Sequence, residues 1–297
     1  MGLVSTAQVQ ATYKQRDAWW TVLLVDPLAG RLLRLIAMAR WVTPTRLTIT
    51  AFLLGLGAAA CFREATAGWL VAGALLYHAS FVTDCIDGKL ARLRGTGSVV
   101  GSWLDFLLDR IRVVVCTVAL FGGQFLHTGN AVYLLTAVGV VFLALFVYLN
   151  GAETDRAKAK MAAQPSADRG AAGPSPAGLA AAVQSTPAGL NGFQVPSAVG
   201  RLARFLHRRR IRLNLVSGVE FEMAVFIVAP LVAAVAGSTA ILWVTGVAAG
   251  LLICFELALI ARFWLTARAF DRRATGRSLP TPRADQSGVQ PRVRHPA

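Results

Sequence analysis

Asp84-Cys85-Ile86-Asp87-Gly88-Lys89-Leu90-Ala91-Arg92 is followed, after eight residues, by Gly101-Ser102-Trp103-Leu104-Asp105-Phe106-Leu107-Leu108-Asp109. These four carboxylates stand where two apolar segments meet. Ionisable groups at membrane depth are costly and usually mark a functional site facing a cavity. On a helix, Asp84 and Asp87 are one short turn apart, as are Asp105 and Asp109, so each pair shares a face. Two such faces turned toward each other make a four-carboxylate site for one or two Mg²⁺ or Mn²⁺ ions, and such hard cations suit phosphates. Gly88 and Gly101 allow backbone or ligand to approach closely. Arg92, one turn past Gly88, offers a planar fork of donors to a phosphate, and Lys89 could assist it.

Working outward, the chain reads as an integral membrane protein. Of its 297 residues, 55% are hydrophobic and only 15% charged, against about 25% charged in soluble domains. Apolar windows at 47–62, 67–83, 111–126, 131–149, 223–236 and 239–261 predict an all-α, polytopic fold of six transmembrane helices. The short windows must be extended by their polar ends, aspartates included. With both termini on one side, only Arg63 of the 30 Lys and Arg falls in a loop on the far side. The positive-inside rule then places the termini and the aspartates in the cytoplasm. The net charge of +15 belongs to helix flanks facing anionic lipid, not to a nucleic-acid surface. Cys61, Cys85, Cys116 and Cys254 are dispersed and have no zinc spacing.

Three segments flank the predicted helices. Residues 1–46 carry an apolar stripe (Trp19, Trp20, Leu24, Leu28, Leu32, Leu35) beside Arg31 and Arg34. They read as a cytoplasmic amphipathic segment lying at the interface, or as a helix packed on the bundle. Within the 47–263 membrane domain, 162–200 is rich in Ala, Gly, Pro and Ser and reads as a flexible cytoplasmic loop. Residues 264–297 read as a disordered basic cytoplasmic tail.

The stretch 84–109 matches D-x2-D-G-x2-A-R-x8-G-x3-D-x3-D throughout and resembles the signature of the CDP-alcohol phosphatidyltransferases. The entry to the first span, Thr43-Pro44-Thr45-Arg46-Leu47-Thr48, departs from that family's usual Thr-Pro-Asn-x-x-Thr by placing Thr45 at the Asn position. The resemblance implies an enzyme that transfers a phosphatidyl or related phosphoalcohol group from a CDP-linked donor, such as CDP-diacylglycerol, to an acceptor alcohol, releasing CMP. It implies metal ligation by Asp84, Asp87, Asp105 and Asp109, with Asp109 also the general base. Nucleotide and phosphate contacts fall to Gly88, Ala91, Arg92 and Gly101. It further implies a homodimer, acting in phospholipid biosynthesis at the plasma (inner) membrane. Rival readings are an aspartate-rich prenyltransferase, which leaves Gly88, Ala91, Arg92 and Gly101 unexplained, and a divalent-cation transporter, which would carry acids near the midplane.

Other charges invite weaker readings. Arg156 and Lys158 follow the fourth span, and Arg212 precedes the fifth. They could grip an anionic acceptor, inositol phosphate or glycerol phosphate, or serve only as a solvated positive flank. Arg112 could serve a phosphate or pair an acid. His78 reads as an interior hydrogen-bonded histidine. Glu222 reads as a carboxylate favoured at a helix N-terminus or as one that faces the cavity and orients a cation or an Arg, and Glu256 as a structural acid with a basic partner.

Overall fold

A computed structural model describes residues 5–39, 41–163, 210–212 and 215–277. Most of the expected loop 162–200 and the tail beyond Arg277 lie outside the described residues. The described chain is helical, without strands: α1 (Thr6–Ala11), α2 (Asp26–Ile36) preceded by a π turn at Thr21–Val25, α3 (Pro44–Arg63), α4 (Ala67–Arg94), α5 (Val99–Thr128), α6 (Val132–Ala163), α7 (Gly218–Met223), a second π turn at Ala224–Val228, α8 (Ala229–Ala236) and α9 (Thr239–Arg277). Residues Met1–Leu257 form one unit. In the second, Ala258–Ala297, the helix continues to Arg277, past the expected boundary at 263, and Arg268 lies over the Trp264 ring.

Among the described residues, five helical segments are long and apolar enough to cross a membrane: α3, α4, α6, Gly218–Ala236 and Thr239–Arg272 of α9. The chain is an all-α membrane protein. The sixth expected span, α5, has the length, but Asp105, Asp109, Arg110 and Arg112 crowd its first half. Its buried apolar residues, Val113, Cys116, Leu120 and Phe121, lie beyond them.

Local chemistry sets the helix ends. Thr43 caps α3 by accepting from the Arg46 amide at 3.3 Å, and Pro44 occupies the first turn, where its missing N–H costs nothing. Gly95 (φ 64°) stops α4 in the left-handed region, and Ser98 caps α5 by accepting from the Gly101 amide at 3.0 Å. Residues 95–98 therefore make a tight hairpin that brings both aspartate pairs to one end of the bundle.

Helix α3 is the wedge of this arrangement. It packs against both α4 and α5. Its buried stripe is Thr48, Ala51, Gly55, Ala58, Ala59 and Phe62, recurring at helical spacing. Small residues let the backbones approach closely where lipid gives no hydrophobic drive. Ser80 on α4 donates to the Ala51 carbonyl at 2.6 Å. A Cβ on Gly73 of α4 would come within 2.6 Å of the Phe62 ring. Leu53, Leu75, Val118, Leu135 and Phe142 face outward, as a lipid-facing surface requires.

The N-terminal segment packs on the bundle along one face and leaves another face exposed. Val25, Ala29 and Leu33 are buried against the bundle, while Leu24, Leu28, Leu32 and Leu35 stay exposed. Asp26, buried in the first turn of α2, pairs with Lys89 of α4 at 3.2 Å and with Arg210 at 3.4 Å. Tyr13 donates to the Asp26 carbonyl at 3.2 Å, and its ring lies under Arg210. Lys89 thus docks α2 onto the motif helix. Asp26→Ala, which leaves Lys89 buried without its carboxylate, is expected to cost about 3–5 kcal/mol. Thermal unfolding in detergent checks this. The pair replacement Asp26→Leu with Lys89→Met should recover most of the loss.

Candidate functional site

The hairpin brings three of the four motif carboxylates together. One oxygen from each of Asp84, Asp87 and Asp105 lies within 4.8 Å of the others. Two come from the last turns of α4 and one from the second turn of α5. Asp87 is buried, and its Oδ2 accepts from the Thr48 hydroxyl at 2.5 Å. That bond ties α3 to the cluster and fixes the carboxylate rotamer. Asp105 Oδ1 is buried and has no hydrogen-bond partner among the described residues. A buried acceptor left in this state costs free energy.

Asp109 lies apart from this trio. Its two oxygens accept from Arg110 and Arg112. The expected four-carboxylate face is thus three acids plus one acid held by two guanidiniums. Arg110 also reaches Glu222 at 3.4 Å and lies over the Tyr148 ring. Arg112 donates to the Ser80 hydroxyl at 3.1 Å and stands 3.7 Å from Asp84. Of the alternatives for Arg112, the acid pair is the one formed.

Beside the trio opens a cavity of about 450 Å³. Asp87, Gly88, Ala91, Gly101 and Asp105 line it, together with Thr43, Thr45 and Thr48 from α3 and its cap, and Thr96, Ser98 and Ser102 from the hairpin. A Cβ on Gly101 would meet the Ser98 hydroxyl at 2.9 Å, so a side chain there would crowd the helix cap. Thr45, at the position where the family usually has Asn, lines the cavity. Arg92 sends its Nε to the Thr12 carbonyl at 2.8 Å, while its Nη1 would lie 3.5 Å from a Cβ on Gly88. Arg94, also lining the cavity, donates to the carbonyls of Val42, Ala37 and Ala39 and ties the α2–α3 connection to α4.

The candidate acceptor residues are placed elsewhere. Arg156 pairs with Glu153 and Lys158 with Asp155, all exposed along α6. Arg212 stands 3.8 Å from Asp17, and its amide donates to the Asp17 carbonyl. None of the three lines the cavity. Glu222 is not the capping acid of α7: Glu220 closes the capping box with Ser217 and accepts from the Trp19 amide at 3.0 Å. Glu256 takes the Asn150 amide at 3.0 Å instead of a basic partner. His78 packs edge-on against Trp20.

The sequence reading assigned no role to Thr48 or Arg94, and it offered Glu222 as a group that orients an Arg without naming Arg110. Thr48 was legible as the last position of the α3 entry motif. The Arg110–Glu222 contact joins residues distant in sequence and left no local signal.

The donor set fits a hard divalent cation. All three ligand groups are carboxylates, the oxygens converge, and one is buried without a donor. Among the described residues, Arg110 and Arg112 are the ion-pair partners of Asp84, Asp109 and Glu222, and Asp87 and Asp105 have no ion pair. This leaves an excess of negative charge for a cation to balance.

The comparisons agree with this geometry. Residues 41–186 match the family described as CDP-alcohol phosphatidyltransferase. An archaetidylinositol phosphate synthase from Methanothermobacter thermautotrophicus is 31% identical over 101 residues, covering 34% of this chain and 46% of that protein. The chain thus spans less than half the length of this curated relative. The aspartate signature, the three-carboxylate cluster and the matched segment coincide, and residues 41–186 are a CDP-alcohol phosphatidyltransferase domain.

Proposed function

We propose that this protein transfers a phosphatidyl or related phosphoalcohol group from a CDP-linked donor to an acceptor alcohol, with release of CMP. The observation that carries this reading is the convergence of Asp84, Asp87 and Asp105 beside a cavity lined by Gly88, Ala91 and Gly101. Asp84, Asp87 and Asp105 hold the Mg²⁺ or Mn²⁺. A divalent cation bound there offsets the negative charge of the transferring phosphoryl group. Gly88, Ala91 and Gly101 leave room for the donor's pyrophosphate against the helix backbones, and the Nη groups of Arg92 point along the same face.

The acceptor oxygen forms a bond to the β-phosphorus, and the bond from that phosphorus to the bridging oxygen breaks. The bridging oxygen leaves with CMP. Asp109 accepts the acceptor's proton. Its two arginines orient it, and Arg110 has Glu222 as a second carboxylate when Asp109 turns to the acceptor. The name of the archaeal relative favours a phosphorylated polyol, inositol phosphate before glycerol phosphate, as acceptor. Arg156, Lys158 and Arg212 would contribute to it only by leaving their present acidic neighbours. The charge asymmetry of the loops supports a cytoplasmic site in the plasma membrane, and the family resemblance supports a homodimer.

The tests use purified protein, CDP-diacylglycerol and a panel of acceptors. Asp84→Asn, Asp87→Asn and Asp105→Asn should each lower CMP formation at least about a hundredfold, the scale of losing a principal electrostatic group. EDTA should abolish it, and full activity in EDTA would rule the cation reading out. Thr48→Val should lower turnover about tenfold or more, as loss of a group orienting a ligand does. Thr48→Ser should stay near wild type. Equal rates for Thr48→Val and wild type would show that Asp87 needs no such support.

A further inference from the structure

We propose that Arg112 is a positioning residue for the aspartate site, seated in its place by Gly55. The inference rests on the cation reading of the cluster. Arg112 is on α5, three residues after Asp109, and only 2% of its side chain is exposed. Its guanidinium donates through Nη2 to Asp109, donates through Nη1 to the Ser80 hydroxyl at 3.1 Å, and stands 3.7 Å from Asp84. It also lies over the Tyr77 ring, 5.7 Å from its centroid. One planar cation therefore reaches a motif carboxylate on each helix of the hairpin, Asp84 on α4 and Asp109 on α5. Arg110 reaches Asp109 as well, but its other carboxylate is Glu222.

The stem of Arg112 needs a slot in α3 to make this reach. A Cβ on Gly55 would stand 2.5 Å from Arg112 Cδ and 2.6 Å from its Cγ. These are atoms in the middle of a buried side chain and have little freedom to yield. The Gly55 carbonyl is also engaged, accepting from Cys116 Sγ at 3.4 Å. Gly55 thus sets how deeply Arg112 sits, and Arg112 sets where Asp84 and Asp109 point. A lysine cannot copy this, because an ammonium lacks the fork that spans two partners.

The sign of one measurement separates positioning from plain charge balance. If Arg112 were only a counter-charge, weakening its hold on the acids would leave divalent-cation binding unchanged or tighter. If it positions Asp84, binding weakens although the positive charge beside the acids is kept. The test is a Mn²⁺ titration of the full chain in detergent micelles, read by electron paramagnetic resonance of free Mn²⁺. Arg112→Lys is expected to weaken binding about tenfold or more, the usual scale for a residue that orients metal ligands. Gly55→Ala, which keeps Arg112 but closes its slot, should move affinity the same way, and it carries the test if Arg112→Lys does not fold. Mn²⁺ affinity equal to or tighter than wild type in the folded variants would overturn the inference. Failure of the wild type to bind Mn²⁺ would instead overturn the cation reading on which it rests.

Discussion

Mutual repulsion of carboxylates at the end of a membrane helix bundle is the constraint around which this structure is organised. Asp84, Asp87 and Asp105 converge within 4.8 Å. Like charges that close in a partly desolvated place are costly unless something answers them. The protein answers part of the charge itself. Thr48 donates to Asp87, Arg112 stands by Asp84, and Arg110 and Arg112 take Asp109. It leaves Asp105 Oδ1 without a donor among the described residues. A site compensated only in part is a poor structural element and a good receptor for a cation.

Helix α3 makes that partial compensation possible. Its small residues at Ala51, Gly55, Ala58 and Ala59 let it lie close to both α4 and α5. Two hydroxyl contacts follow from this closeness: Thr48 to Asp87, and Ser80 to the Ala51 carbonyl. The N-terminal segment braces the same motif helix from another side, through Asp26 with Lys89 and through the Thr12 carbonyl with Arg92. Two basic residues of the signature region therefore spend donors on the fold. Leu28, Leu32 and Leu35 on the outer face of α2 stay exposed.

Much of this was legible in the sequence because it is local. Hydrophobic windows gave the helices. The spacing of Asp84, Asp87 and Asp105 placed them on faces that a tight Gly95–Ser98 turn folds together. Gly88, Ala91 and Gly101 were expected at the phosphate site and do line the cavity. What spacing could not supply was pairing across distant helices. Asp109 shares a face with Asp105, yet Arg110 and Arg112 hold it outside the trio. Lys89 and Arg92 look like phosphate donors by position, but Lys89 pairs with Asp26 and the Arg92 Nε goes to the Thr12 carbonyl, partners far away in sequence. Arg156 and Lys158 were drawn toward an acceptor by charge alone, whereas Glu153 and Asp155 one turn away satisfy them. A charge count along the chain does not show which partner is nearest in space.

The most direct test of the central claim, that an acceptor alcohol attacks the β-phosphorus of a CDP-linked donor at this cluster, is an isotope experiment. CDP-diacylglycerol labelled with ¹⁸O at the bridging pyrophosphate oxygen would be turned over by the purified protein with Mn²⁺ and a phosphorylated polyol. Both products would be weighed by mass spectrometry. The account expects the label in CMP and an unlabelled phosphodiester lipid. Label retained on the lipid, or pyrophosphate released in place of CMP, would contradict it.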